Sequence, residues 1–198
     1  MPSVRVFSAA VLGLDALPVE VEVDATPGLH FFNIVGLPDK AVQESKDRIA
    51  AAIKNSGFVA PNRKNRRIIV NLAPADVKKA GPAYDLPIAL GYLLATQQLK
   101  FAADHQVFLG ELSLDGAVRR VNGILPAAFM SRKQGFTEIV VPADNAAEAA
   151  VVQGLRVVGV KNLKQLCAYL SGQLAITPTE NSTGALATKT GLPLETTW

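Results

Sequence analysis

From residue 124 to residue 171 the chain alternates helix-like stretches with two short apolar runs, EIVVP and RVVGV. The helices fall at 124–134, 144–152 and 162–171, with one strand in each gap. This βαβ-like succession predicts an α/β domain and admits few alternatives. The first part of the chain reads differently. In LPVEVEVDA, Val19, Val21 and Val23 alternate with Glu20, Glu22 and Asp24. Period-two alternation predicts a strand with one buried and one wet face. VRVFSAAVLG before it and LHFFNIVG (29–36) after it are further strands, so the sheet is expected to be mixed.

Between these regions, PDKAVQESKDRIAAAIKNSG predicts a helix. Val42, Ile49 and Ile53 share a face, Pro38 and Asp39 suit the first turn, and Gly57 is the stop signal. RRIIVNL (66–72) is a buried strand introduced by a basic loop, and LPIALGYLLATQQL is a helix. QVFLGEL and AVRRV are two strands joined through Ser113-Leu114-Asp115-Gly116, where Asp-Gly is a strong hairpin signal. The stretch from Ser171 to Trp198 is rich in Thr, Gly and Pro and has little apolar periodicity. It reads as a linker or tail, which gives a domain over 1–171 and an appendage over 172–198.

Bulk properties narrow the function classes. With 198 residues, 49% of them hydrophobic, the chain suits one core. It has no apolar run of about 18 residues, so no membrane span is expected. Its start lacks a basic region followed by a long apolar segment, which argues against a signal peptide. Cys167 is the only cysteine, which excludes an internal disulfide and fits a reducing cytoplasm. A net charge of +3 argues for a nucleic-acid partner only if it is clustered.

The stretch most like an active site is KKAGPAYDLPIAL, residues 78–90. A nucleophile there would need Ser, Thr or Cys with a base nearby, and the turn offers Ala83 and Tyr84. A helix starting at Asp85 accounts for more. Asp85 would be its N-cap, and Pro87 would fall in the first turn, where its missing N–H costs nothing. No metal set is expected: His30 and His105 are isolated, Cys167 has no partner at ligand spacing, and Glu20, Glu22 and Asp24 read as a solvated sheet face. ATKTG (187–191) lacks the glycines of a phosphate-binding loop. The basic clusters remain. Arg63, Lys64, Arg66 and Arg67 share one loop, Arg119 and Arg120 lie in the second strand of the hairpin, and Arg132 and Lys133 end a helix. Clustered guanidinium and ammonium groups suit phosphate backbones, which makes the first two sets candidate DNA contacts.

Four stretches, taken together and in order, resemble one family. They are FNIVGLPDKAVQESKDRIAAAI, NLAPADVKKAGPAYDLPIALGYL, FLGELSLDGAVRRVNGILPAA and GFTEIVVPADNAAEAA. Over about residues 4–171 the chain is similar to the N-terminal domain of the ComM (YifB) family, bacterial AAA+ proteins related to the magnesium chelatase subunit ChlI. The resemblance implies a ribosomal S5 domain 2-like α/β fold, shared with the proteolytic domain of Lon and the C-terminal domain of RadA. Against the Lon patterns K-D-G-P-S-A-G and G-G-L-K, this chain places Ala83 at the serine position and Leu125 at the lysine position. A Ser-Lys dyad is therefore not expected. Ser113 is the nearest remaining hydroxyl for a residual hydrolase. The family further implies an AAA+ module after Trp198, reached through the tail and using ATP and Mg2+. It also implies a hexameric ring and branch-migration activity on DNA during natural transformation. No cofactor is expected in this chain. DNA and neighbouring ring subunits are its expected partners, and an assembly module without DNA binding is the alternative.

Overall fold

A computed structural model describes residues 3–181. The chain opens with an antiparallel hairpin, β1 (Val4–Leu12) and β2 (Asp15–Pro27), followed by β3 (Phe31–Val35). Helices α1 (Lys40–Gln43) and α2 (Ser45–Asn55) lead to β4 (Arg66–Ala73) and α3 (Asp85–Ala95). Next come β5 (Gln106–Phe108), the short pair β6 (Glu111–Leu112) and β7 (Val118–Arg119), and α4 (Ile124–Lys133). The described fold closes with β8 (Glu138–Pro142), α5 (Ala146–Ala149), β9 (Arg156–Val160) and α6 (Leu163–Leu170).

Seven strands form one mixed sheet in the order β3-β4-β2-β1-β5-β8-β9. β1–β2 and β2–β4 are antiparallel, and the other neighbours are parallel. Two apolar clusters lie on opposite faces. One packs Val6, Val19, Val21, Val23, Ile68 and Val70 against α2, α3 and α6. The other packs Ala9, Val107, Ile139 and Val157 against α4 and α5. β8 is buried at every position because both clusters reach it. The alternation read in β2 is realised as expected: its valines are buried, while Glu20, Glu22 and Asp24 are only partly covered.

Three elements differ from the sequence reading. The helix expected after Pro38 is interrupted at Glu44. There the Ser45 hydroxyl donates to Val42 O at 2.6 Å and the Arg48 guanidinium to Ala41 O at 3.3 Å, so side chains compete for the carbonyls of the first turn. QVFLGEL divides between two sheets, because Gly110 leaves the main sheet to exchange backbone bonds with the turn before α3. The helix expected over 144–152 is a 3-10 turn, Ala143–Asn145, followed by one α-turn. Past Leu170, Ile176 packs on the first cluster and Thr179 N–H donates to Val157 O at 2.8 Å. The rest of the expected tail, 182–198, lies outside the described residues.

Candidate functional site

The turn Gly81-Pro82-Ala83-Tyr84 forms one wall of a cleft of about 320 Å³. Gly81 has φ +84, which favours glycine, and its N–H donates to the Asp39 carboxylate at 3.0 Å. The same carboxylate caps α1 by accepting from Val42 N at 2.8 Å. Gly110 then locks the turn to the sheet: its N–H donates to Ala83 O, and its carbonyl accepts from Leu86 N, both at 3.0 Å. Ala9 and Val11 of β1 line another side of the cleft, and Arg120–Gly123 close it. Asn145, fully buried, fixes that last wall by bonding both Val121 N and Val121 O.

Asp85 is not the cap of α3. It is the first residue of the helix, its carboxylate bonds none of the helix's own amides, and Tyr84 occupies the cap position. The carboxylate is instead drawn into the interior. It accepts two bonds from Arg48, Nε to Oδ2 at 2.9 Å and Nη2 to Oδ1 at 3.1 Å, and a third from Leu112 N at 3.1 Å. Burial pushes the Asp85 carboxyl up to about 6, and the Arg48 fork and the Leu112 amide hold it from going higher. It is therefore ionised at neutral pH, and the pair ties α2, α3 and β6 together. Sequence reading missed Arg48 because its partner lies 37 residues away and its helix otherwise looks amphipathic.

Lys79 was also missed. It is fully buried, and its ammonium donates to Gly36 O at 2.8 Å and to Pro74 O. Desolvation lowers its pKa. The adjacent Lys78 is exposed, lines the cleft and has no carboxylate within ion-pair distance among the described residues.

Ala83 lines the cleft and brings a methyl group where the resemblance places a serine. Leu125 is not among the lining residues; it packs against the second apolar cluster, and its amide donates to Glu148. The Ser113 hydroxyl is engaged within its own hairpin turn, donating to Asp115 and to Ala117 O. Burial pushes the Cys167 thiol up to about 12. Among the described residues no group of three or more His, Cys, Asp or Glu is placed to hold a metal ion.

The two basic clusters are held differently. Arg63, Lys64 and Arg67 are exposed and Arg66 is partly covered, in the loop and first residues of β4. Among the described residues no carboxylate is within ion-pair distance of any of the four. Arg67 lies over the Phe31 ring, 5.3 Å from its centroid. Arg119 is exposed on β7, whereas Arg120 donates to Asp144 O at 3.0 Å and pairs with Glu148 at 3.5 Å. Arg120 therefore braces the cleft wall, and the structure does not join it to the 63–67 loop.

A mixed sheet with helices on both faces makes this an α/β domain of the ribosomal S5 domain 2-like kind. A family model described as subunit ChlI of Mg-chelatase matches residues 21–145. An uncharacterized protein of Mycobacterium tuberculosis is 44% identical over 173 residues, 87% of this chain and 34% of that protein. YifB of Escherichia coli is 41% identical over 172 residues, 86% of this chain and 33% of YifB. The competence protein ComM of Haemophilus influenzae is 39% identical over 169 residues, 85% of this chain and 32% of ComM. The chain belongs to the Mg-chelatase ChlI-like family, in its ComM/YifB branch. It spans about a third of the length of the curated relatives it matches. No helix among the described residues is long and apolar enough to cross a membrane.

Proposed function

We propose that this chain is a non-proteolytic N-terminal domain of a cytoplasmic ComM-type AAA+ DNA motor, and that it contacts DNA through Arg63, Lys64, Arg66 and Arg67. The motor reading extends the family membership to branch migration by a hexameric ring during recombination. ATP and Mg2+ would be used by the AAA+ module of the full-length protein. The observation that carries the DNA reading is the loop itself. Four cations cluster at the start of one strand, and none is engaged by a carboxylate among the described residues. Cations left unpaired keep their charge available for displacing counterions from phosphates. Arg119 is a secondary contact of the same kind. The loss of proteolysis rests on Ala83 and Leu125, neither of which can serve as nucleophile or base.

The test is fluorescence anisotropy of labelled single- and double-stranded DNA over a salt series, with the four loop residues changed to Glu in a second protein. Binding should weaken with salt and disappear in the variant, with a log–log slope near −0.7 per phosphate neutralised on single strands. Binding indifferent to the substitutions would overturn the loop assignment. A second reading, subunit bracing without DNA contact, is favoured by one surface. Leu12, Leu14 and Leu17 at the β1–β2 hairpin tip and Phe129 of α4 are exposed. An absence of DNA binding at low salt, with concentration-dependent association, would select it.

A further inference from the structure

The basic loop contains no aromatic residue, but the parallel pairing of β3 with β4 sets one beside it. Phe31 stands opposite Arg67, and the two strands stay in register to Val35 opposite Asn71. Alternation turns Phe32 and Ile34 to the first apolar cluster and leaves Phe31, Asn33 and Val35 on the other face of the sheet. Phe31 is 45% exposed there. The same alternation divides the loop's cations. Arg67 shares the face of Phe31, whereas Arg66 lies on the α3 side, where it lines a pocket of about 290 Å³ with Lys64, Ala95 and Thr96. The cations thus straddle the edge of the sheet rather than line one side of it.

The segments that meet at this end of the sheet carry no acid. Residues 25–37, 54–75 and 86–103 contain no Asp or Glu. They are joined here: Gly28 N–H donates to Asn65 O at 3.2 Å, and the pocket brings the loop against the end of α3. On the face of Phe31 the acidic strand is β2, whose Asp24 stands opposite Ile69. β4 separates it from β3, so an anion is steered to the outer edge of β3. Gln43 closes that edge further along, at Ile34 O. Arg67 lies 5.3 Å from the ring centroid and is held by no ion pair among the described residues. An exposed cation–ring contact is weaker than a stacked base, so a base can take its place. In a duplex the faces of the bases are already covered by their neighbours. A single strand offers one, and it bends round an edge that a duplex, stiff over about 50 nm, passes straight.

We propose that the basic loop receives a single strand of DNA and that Phe31 is its base platform. The strand follows the outer edge of β3, an unpaired base stacks on the Phe31 ring in place of the Arg67 guanidinium, and Arg67 turns to the neighbouring phosphate. Lys64 and Arg66 meet phosphates on the α3 side of the edge. The platform rests on the DNA reading above, and adds to it the form of DNA and the residue that selects that form. Stacking reads no base edge, so the binding is indifferent to sequence.

The experiment compares three fluorescein-labelled ligands by anisotropy on the full chain: a twelve-nucleotide oligothymidylate, an abasic strand of the same length and charge, and a mixed-sequence duplex. Oligothymidylate should bind about fivefold or more tightly than the abasic strand. Phe31→Ala should remove that preference while the log–log salt slope on oligothymidylate, and the binding of duplex and abasic strand, stay as they were. Phe31→Trp, in a chain carrying Trp198→Phe, should keep the preference. Its fluorescence should be quenched by oligothymidylate and not by the abasic strand. A preference that survives Phe31→Ala overturns the platform, as does equal binding of oligothymidylate and abasic strand by the unaltered chain. An equal loss on all three ligands also overturns it and makes the ring a support of the loop. In each of those cases the phosphate contacts of the loop still stand. Absence of binding to any of the three removes the DNA reading together with the platform.

Discussion

The cleft turn and the basic loop are both polar segments leading into regular elements, but they hold their charges in opposite ways. Around the turn, charges other than that of the exposed Lys78 are held by fixed partners. Asp85 is gripped by Arg48 and Leu112, Asp39 by Val42 and Gly81, and Lys79 by two carbonyls. In the loop, Arg63, Lys64 and Arg67 stand in solvent, and Arg67 leans on the Phe31 ring. Interior charges must be matched or they unfold the chain, whereas exposed ones contribute little to stability and remain free for a partner. The turn therefore keeps its architecture around Ala83 because its polar groups support the fold. The loop's charges support little of the fold, which is the reason to look to them for binding.

The sharpest way to break this comparison is Asp85→Ala. It strands the Arg48 guanidinium beside a buried cavity and should cost about 3–5 kcal/mol, read from urea unfolding. A loss below about 1 kcal/mol would show that the turn is no more dependent on charge than the loop. Lys79→Met should cost less, about 1–3 kcal/mol, since it leaves Gly36 O and Pro74 O without their donor while relieving the desolvation of the ammonium. Differential scanning calorimetry of that variant gives the value.

A pH series sharpens the same contrast. Asp85 in the folded protein titrates near 6, above an unfolded value near 3.9. The folded state therefore binds the extra proton, so the proton-linked part of this group's contribution is fully present below about pH 4 and is lost as pH rises through about 6, where the ion pair with Arg48 remains. Asp85→Asn should flatten that part of the profile. An unchanged slope would place the titration elsewhere. The smallest effect on stability is expected for the loop. Each of Arg63, Lys64, Arg66 and Arg67 changed to Glu should shift unfolding by no more than about 0.5 kcal/mol. The four together should still reduce DNA affinity about tenfold or more. A large stability loss would mean that the loop, like the turn, is part of the fold's support.

Much of the fold was legible in order along the chain. The β2 alternation, the strands EIVVP and RVVGV at their full extents, and the Asp115-Gly116 hairpin all follow from local rules. The interruption at Glu44 was hidden because hydroxyl and guanidinium competition for carbonyls leaves no mark on apolar periodicity. The site was legible only as residues. That Ala83 and Leu125 lack the chemistry of a dyad needs no structure, and the clustering of 63–67 is plain in the sequence.

Lys78 and Lys79 show where such reading ends. Two adjacent, identical side chains reach opposite environments, one on the cleft and exposed, the other fully buried between backbone carbonyls. The sequence by itself determined the α/β class, the succession of most elements and the residues that cannot be catalytic, because periodicity, turn chemistry and side-chain identity act over a few residues. Tertiary structure alone decided that Asp85 pairs with Arg48, that Arg120 braces a wall while the 63–67 loop stays free, and that β3 lays Phe31 beside Arg67. Those outcomes depend on contacts between segments tens of residues apart, and a local pattern carries no record of them.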